Sequence, residues 1–388
     1  MPHITPGGFM VNKDRLKLAF TELLKINSPS GKEGNLAIHL SSVLKEMGLS
    51  VGFDSANRVT GGDTGNLIAY LSGDDTLSPL MLNAHLDTVE PTEGRAPLIE
   101  GDIIRSDGNG ILGADDKSGV ACIIEALRVI IENGLPHPPV EVVFTVCEEN
   151  GLLGVKNLDY SMIRAKMAYA VDTESPYKVV VGAPYHNSIV AKIYGKEAHA
   201  GTNPSLGINA IKVAADAISR IALGQIDEET TANIGVIRGG TATNIVPGFV
   251  EIKAEVRSHD EEKLERKTRE IASELENSCK LFNKEIDGKP VTPRVRYEIG
   301  REYNAFRIGK EEEVVKRVFK AASTLKLQLE TSVGGGGSDA NIFNEKGIMT
   351  VVIGTGMENV HTKSEYISLE DMVVCSELLI RMVSYGGS

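Results

Sequence analysis

The fold class follows from the stretch KSGVACIIEALRVIIENG at residues 117–134. This stretch is long enough for a helix, is rich in apolar residues and ends at Gly134, a common helix stop. The apolar runs LMLNAH (80–85) and VEVVFTVC (140–147) on either side of it are short and typical of strands. Strand, helix and strand in this order predict an α/β layer with much parallel pairing, because parallel strands need a crossover connection.

The same alternation of helices and strands is predicted near both ends of the chain, and a different pattern lies between them. Further helices are predicted at 12–26, 31–47, 311–326 and 368–384, and further strands at 66–72, 168–172 and 349–354. After Pro184 the pattern changes to strands at 188–195, 232–238 and 248–257 with helices at 207–223 and 260–284. We therefore predict a mixed, largely parallel sheet flanked by helices, built from residues 1–184 plus 299–388, with an inserted α+β domain at 185–298.

Composition and charge exclude several classes of function. The 388 residues carry 41 Lys and Arg against 53 Asp and Glu, a net charge of −12, which disfavours nucleic acid and anionic membranes as partners. No apolar run approaches the roughly 18–20 residues that cross a bilayer, and the first residues lack a secretion-type apolar segment, so we expect a cytoplasmic protein. The four cysteines form no CxxC pair, which argues against a thiolate zinc site or a disulfide framework.

Acidic and imidazole side chains follow the ends of several predicted strands. His85 and Asp87 lie two residues apart on an extended segment, so their side chains point to the same side and the carboxylate can support the imidazole. The other clusters are GADDKSG (113–119), the paired acids Glu148 and Glu149, Asp172 in AYAVDTES, and His361 in GMENVHTKSEY.

Each cluster also has a structural interpretation. An acid at the start of a helix often serves as a cap, and acids after a strand often lie in a solvated turn. Capping accounts for one acid of the pair Asp115–Asp116, not for both. The segment GNGILG (108–113) also fits the pattern GxGxxG, but no firm strand precedes it and acids follow it, so we interpret that match as chance.

Taken together, the clusters predict a metal site. Two histidines and several acids without a nearby thiolate are the ligands that suit zinc, cobalt or manganese. Two divalent cations bring four positive charges, and Asp115, Glu149, Asp172 and a bridging hydroxide would neutralise them. Glu148 is then left over and free to move protons, as an amide-hydrolysing site requires.

The motifs HLDTV, GADDKSG, CEENGLLG, VDTE and HTKSEY, in this order, resemble the metallopeptidase family M20 over essentially the whole chain. Within that family, the sequences of these motifs are most similar to the peptidase T-like, tripeptide aminopeptidase-like branch. The resemblance implies a zinc-exopeptidase-like catalytic domain with an inserted lid and dimerisation domain.

The resemblance also implies a role for each residue that matches a family motif. Asp115 would bridge two divalent metal ions, zinc first with cobalt or manganese as alternatives, and a cis peptide bond would follow it. The remaining roles would be metal binding by His85 and Asp172 at one site and by Glu149 and His361 at the other, orientation of His85 by Asp87, and general base catalysis by Glu148. In the insert, His199 would stabilise the oxyanion, often from the partner subunit of a homodimer. Asn244, Arg257 and the glycine run with Gly336 and Gly337 would bind substrate.

The implied function is an exopeptidase that hydrolyses short peptides and releases the N-terminal residue of a tripeptide-sized substrate. In the family that the chain resembles, Asp at the position of Asp172 goes more with aminopeptidases and dipeptidases, and Glu goes more with carboxypeptidase-like members. The motif VDTE differs from the VDG of typical tripeptidases, which puts strict specificity for tripeptides in question. Two alternatives stay open at this point. One is an N-acyl-amino-acid amidohydrolase or glutamate-type carboxypeptidase that uses the same metals, and the other is a metal-retaining homologue without turnover.

Overall fold

The computed structural model describes residues 10–384. Its helices are α1 (Lys13–Lys25), α2 (Gly34–Glu46), α3 (Asn57–Thr60), α4 (Ala114–Glu132), α5 (Leu153–Lys156), α6 (Ala210–Arg220), α7 (Glu261–Leu281), α8 (Glu313–Thr324), α9 (Asp339–Glu345) and α10 (Leu369–Ser384). Its strands are β1 (Ser50–Phe53), β2 (Leu67–Leu71), β3 (Leu80–His85), β4 (Leu98–Glu100), β5 (Ile103–Arg105), β6 (Val140–Thr145), β7 (Met167–Ala170), β8 (Lys178–Val180), β9 (Gly182–Ala183), β10 (Tyr185–Tyr194), β11 (Ala198–His199), β12 (Gly224–Gln225), β13 (Thr230–Gly239), β14 (Ile245–Val246), β15 (Phe249–Ser258), β16 (Lys284–Ile286), β17 (Lys289–Val291), β18 (Arg294–Tyr303), β19 (Phe306–Arg307), β20 (Glu330–Ser332), β21 (Met349–Ile353), β22 (Met357–Glu358) and β23 (Tyr366–Ser368).

The chain divides into two compact units. The first contains the described residues through Gly182, then Phe306–Gly334 and the described residues from Ser338 onward. The second contains Ala183–Ala305 and Gly335–Gly337. None of the helices within residues 10–384 combines the length and apolar character needed to cross a bilayer.

The first unit is built on an eight-stranded sheet in the order β1-β2-β6-β3-β7-β21-β8-β20. Four of the neighbouring pairs are parallel, including the central ones that join β6, β3, β7 and β21. Strands β3 and β6 are buried along their whole length, which explains why they read as continuous apolar runs. The predicted mixed, largely parallel sheet flanked by helices is confirmed.

The second unit has a five-stranded antiparallel sheet in the order β12-β13-β15-β10-β18. Along β10 and β15 every second side chain is buried, and α6 and α7 cover that face with an apolar core. The predicted α+β character of the insert is therefore present. The ten-residue strand β18 was not predicted from the sequence, because charged side chains occupy half of RVRYEIGREY (294–303).

The start of α4 lies very close to the strand layer. Asp115 and Asp116 have non-helical backbone angles, so the regular helix begins after them. A Cβ atom at Gly119 would lie 2.1 Å from the carbonyl oxygen of Val171, the residue before Asp172. Glycine at this position therefore allows the acids of α4 to approach the acid that follows β7.

We expect Gly119→Ala to destabilise the protein by about 1–3 kcal/mol, the usual cost of overpacking a core. The gain of about 1 kcal/mol in helix propensity does not offset a contact with a backbone oxygen that cannot move away. Chemical denaturation measures the effect. The matched control is Gly309→Ala, where a Cβ atom would have no neighbour within 4 Å. Equal stabilities of the two variants would contradict the packing argument.

Candidate functional site

The candidate site lies at the carboxyl ends of three neighbouring parallel strands in the first unit. His85 is the last residue of β3, the pair Glu148–Glu149 follows β6, and Asp172 follows β7. Because β6, β3 and β7 are adjacent and parallel, these ends meet at one edge of the sheet. Open α/β sheets bind ligands at this edge.

Asp115 is the central carboxylate of the site. Its Oδ1 atom lies 2.9 Å from Nε2 of His85, and its Oδ2 atom lies 3.0 Å from Nε2 of His361. Nε2 of His361 is also 2.7 Å from Oε1 of Glu149, and Nε2 of His85 is 3.9 Å from Oδ1 of Asp172. Each oxygen of Asp115 is thus shared with a different imidazole.

Asp87 connects His85 with the turn that carries Glu148 and Glu149. Its Oδ1 atom lies 3.4 Å from Nδ1 of His85, the ring nitrogen that faces away from Asp115. The same carboxylate accepts hydrogen bonds from the backbone amides of Glu148 (2.9 Å) and Glu149 (3.1 Å). Asp87 is completely buried, so it can orient the imidazole and hold the turn that carries both glutamates.

Asp116 is a part of the site that the sequence did not assign. Its carboxylate accepts hydrogen bonds from the backbone amides of His85 (3.1 Å) and Gly119 (3.2 Å). The peptide bond between Asp115 and Asp116 is cis, as the family resemblance implies. Ligand atoms of His85, Asp116 and Asp172 lie within 4.8 Å of one another, as do those of a second group, His85, Asp115 and Glu149.

The carboxylate of Glu148 forms no hydrogen bond within residues 10–384, and Glu148 belongs to neither group of candidate metal ligands found there. The residue is nevertheless buried, with 8% of its surface exposed. Burial is the largest cause that raises its pKa well above the usual value, and the charges of Asp172, Asp339 and Glu149 raise it further. A carboxyl group of this kind can accept and return a proton.

The pKa values of the other groups reflect the same concentration of negative charge. Burial raises the pKa of Asp172, and the charge of Asp115 adds to the effect. Burial also raises the pKa of Asp115, but hydrogen bonds from His361 and His85 outweigh it and leave that pKa below its usual value. Hydrogen bonds to Asp115 and Glu149 raise the pKa of His361 to about 10.

The donor set fits a divalent cation. Six buried or largely buried carboxylates surround two imidazoles, and none of these carboxylates forms an ion pair with a lysine or arginine in the described part of the chain; they are Asp87, Asp115, Asp116, Glu148, Glu149 and Asp172. Buried charges are normally paired or coordinate a metal. Oxygen and nitrogen ligands without thiolate are those that zinc, cobalt and manganese accept.

His361 reaches the site from a loop between β22 and β23. Its backbone φ angle is 63°, a left-handed conformation that is uncommon outside glycine and often marks functional positions. Four residues later, Glu365 is buried and accepts hydrogen bonds from the backbone amides of residues 112–115. The sequence offered only the proximity of Glu365 to His361 in HTKSEY as a signal for this contact.

In the second unit, hydrogen bonds to Nδ1 determine the tautomer of the neutral His199 ring. Its Nδ1 atom accepts from the backbone amides of Gly201 (3.2 Å) and Thr202 (3.0 Å), so the proton of the neutral ring lies on Nε2. The short pair of β11 and β14 places Asn244 nearby, because the amide of Ala200 donates to the carbonyl oxygen of Asn244 at 2.8 Å. His199 is exposed and presents Nε2 as a hydrogen-bond donor.

Arg257 lies in a separate polar group on β15. Its Nη2 atom is 3.1 Å from Oε2 of Glu255, which is also 3.4 Å from Nε2 of His186, and its Nε atom is buried without a partner in the described residues. A Cβ atom at Gly336 would be 3.6 Å from Nη1 of Arg257, an ordinary contact. A Cβ atom at Gly337 would be 2.2 Å from Tyr303 Cζ, so the ring of Tyr303 would have to move to admit a side chain there.

Comparison with known proteins identifies the family of this chain. Residues 81–385 match Peptidase family M20/M25/M40. The uncharacterized protein YqjE of Bacillus subtilis is 39% identical over 375 residues, which is 96% of this chain and 99% of YqjE.

Two solved structures cover nearly the whole chain. The aminopeptidase PepT of Bacillus cereus is 38% identical, with a TM-score of 0.83 and coverage of 97% of this chain and 99% of that one. A tripeptidase of Staphylococcus aureus is 37% identical, with a TM-score of 0.88 and coverage of 97% and 98%. The chain therefore belongs to Peptidase family M20/M25/M40.

Proposed function

We propose that this protein is a two-metal exopeptidase that releases the N-terminal residue of short peptides, with a tripeptide-sized substrate. The proposed metal ligands are His85 and Asp172 for one ion, Glu149 and His361 for the other, and Asp115 for both. The observation that carries the proposal is that the two oxygens of Asp115 face different imidazoles at 2.9 and 3.0 Å. A carboxylate in this position suits a bridging ligand.

Divalent ions held there would polarise the scissile carbonyl group and activate water for attack. The protein's own contribution to the reaction is then the handling of protons. Glu148 takes a proton from the attacking water and returns it to the leaving amine, since it is buried beside the proposed ligands but is not one of them. Asp87 keeps His85 and the 148–149 turn in place through its three contacts.

Aminopeptidase activity on short peptides is supported by the two solved relatives at 38% and 37% identity, which are described as an aminopeptidase and a tripeptidase, respectively. The roles of His199, Asn244, Arg257, Gly336 and Gly337 enter the proposal through the family resemblance. In that proposal His199 stabilises the oxyanion, in a homodimer formed through the insert. Its Nε2 proton is consistent with this role, because an oxyanion needs a donor. For Gly337, contact with Tyr303 offers a packing reason instead.

The adjacent residues Glu148 and Glu149 have different proposed roles, so the same substitution at each position tests the mechanism. We expect Glu148→Gln to retain two metal ions per chain while kcat falls about 10²–10⁴-fold, the usual contribution of a general base. Glu149→Gln, its matched neighbour, should lose metal as well as activity, because it removes a proposed ligand. Metal analysis and peptide hydrolysis measure both effects. Unchanged turnover in Glu148→Gln would refute the assignment of the base.

The type of substrate is tested with three compounds: a free tripeptide, its N-acetylated form and an acetyl amino acid. An aminopeptidase should cleave the free tripeptide and lose most of its activity when the amino group is blocked. Release of the N-terminal residue is followed by chromatography. Activity confined to the two blocked compounds would instead establish the amidohydrolase or carboxypeptidase alternative, and no activity on any of them would favour the non-catalytic one.

The stability of the metal-free protein should fall as the pH rises. Burial raises the pKa values of Asp172, Glu148 and Glu149, and hydrogen bonds raise that of His361 to about 10, so the folded state holds protons that the unfolded state releases. This stabilisation is complete below the unfolded pKa values, about 4 for the acids and about 6.5 for histidine. It is lost progressively as the pH rises from these values through the higher folded pKa values, which reach about 10 for His361.

Thermal unfolding of chelator-treated protein between pH 5 and 8, with and without added zinc, measures this effect. Zinc replaces the lost protons as the compensating charge, so the difference in Tm should widen with pH. Asp172→Asn is the control, because it removes one buried charge and should flatten the decline of the metal-free protein. A Tm difference that is constant across this range would count against a cation site made of these residues.

A further inference from the structure

Glu365 is a buried acid that no role described so far explains. Only 1% of its surface is exposed, and it forms no ion pair with a lysine or arginine within the described residues. Its carboxylate instead accepts four backbone N–H groups. Oε2 accepts from Leu112 (2.6 Å) and Gly113 (3.0 Å), and Oε1 accepts from Ala114 (2.7 Å) and Asp115 (3.3 Å).

This contact suits a carboxylate. Each oxygen accepts two N–H groups, so a side chain with only one acceptor oxygen cannot satisfy all four amides. Backbone N–H groups that converge in this way form an anion-binding concavity, and here the anion is a side chain of the same protein. Gly113 at the centre of the segment has a φ angle of 82°, which lets consecutive amides turn toward one point.

The four amides lead directly into Asp115, the proposed bridging ligand. Glu365 also lies four residues after His361, whose Nε2 atom is 3.0 Å from Oδ2 of Asp115. The segment 361–365 therefore contacts Asp115 twice. Glu365 accepts the backbone amide of Asp115, and His361 lies beside the carboxylate of Asp115. The carbonyl oxygen of Glu365 in turn accepts from the amide of Ser106 at 2.9 Å, next to β5, which anchors this segment to a small sheet of the first unit.

We infer that Glu365 is a positioning residue for the metal centre. By accepting hydrogen bonds from the amides of residues 112–115, it fixes the position of Asp115 relative to His361. The inference rests on the proposed function, since it assumes that Asp115 and His361 share a metal ion. Glu365 is not one of the proposed ligands, and its carboxylate contacts backbone amides. Its effect passes through the backbone that carries Asp115.

Glu365→Gln is the informative substitution, because it keeps the size of the side chain and directs an NH2 group at two of the four amides. We expect the affinity for zinc or cobalt, measured by competition with a chromophoric chelator, to fall about 10–100-fold, as is usual for residues that orient metal ligands. The visible spectrum of the cobalt-loaded protein should change as well. Glu358→Gln is the matched control, because Glu358 is exposed on the neighbouring strand β22 and should bind metal like the wild type.

Measuring metal affinity on folded protein separates positioning from a purely structural role. A structural role would lower the Tm of the metal-free variant and leave its metal affinity unchanged, which would overturn the inference. If Glu365→Gln does not fold, Glu365→Asp serves instead, because it keeps the charge but is one methylene too short to hold all four amides. Wild-type affinity in Glu365→Asp would then overturn the inference.

The proposed function fails separately, in the wild-type protein. If the wild type binds no metal, the two-metal exopeptidase itself is wrong. If the wild type binds two ions and Glu365→Gln binds them equally well, only the role of Glu365 is wrong.

Discussion

Negative charge buried at the carboxyl ends of β3, β6 and β7 is the constraint on which the rest of the site depends. An ionised carboxylate taken out of water costs several kcal/mol unless a nearby charge or hydrogen bond compensates it. Among the described residues, the two imidazoles are the only basic side chains that form ion pairs with the acids that converge on Asp115. In the metal-free protein, compensation comes from protons, which is why the pKa values of Asp172, Glu148 and Glu149 are raised. Divalent cations would remove the same penalty without protons.

Backbone amides, rather than lysine or arginine, stabilise the acids that lie behind the proposed ligands. Asp87 accepts the amides of the 148–149 turn, and Glu365 accepts those of residues 112–115. Each of these acids thus holds a segment that carries a proposed ligand. This arrangement has an electrostatic advantage, because a lysine or arginine at the same place would add positive charge and weaken the binding of a cation. Amides provide hydrogen bonds without net charge, and the full negative charge of the centre stays available to the metal.

Much of the site was predictable because it depends on local rules. Residues two apart on a strand face the same side, which predicted the contact between His85 and Asp87, and acids after parallel strands were expected at one edge of the sheet. The contacts of Asp116 and Glu365 follow instead from the path of the backbone between residues 112 and 119, which is not regular helix at Asp115 and Asp116 and depends on tertiary packing. Side-chain patterns do not reveal where backbone amides converge. Strand β18 was missed for a related reason, since its charged residues lie on an edge strand where solvent tolerates them.

Glu148 is the residue that distinguishes a hydrolytic site from a site that only binds metal. Asp115, Glu149 and the two histidines have contacts that a pure binding site would also need. Glu148 has none of them, yet it is buried beside these groups, where its charge is costly in the absence of a compensating partner. A pure binding site gains nothing from a buried acid that is not one of the proposed ligands and forms no hydrogen bond with the described residues. Hydrolysis of an amide does need such a group, because one proton must leave the attacking water and reach the departing nitrogen within the same site.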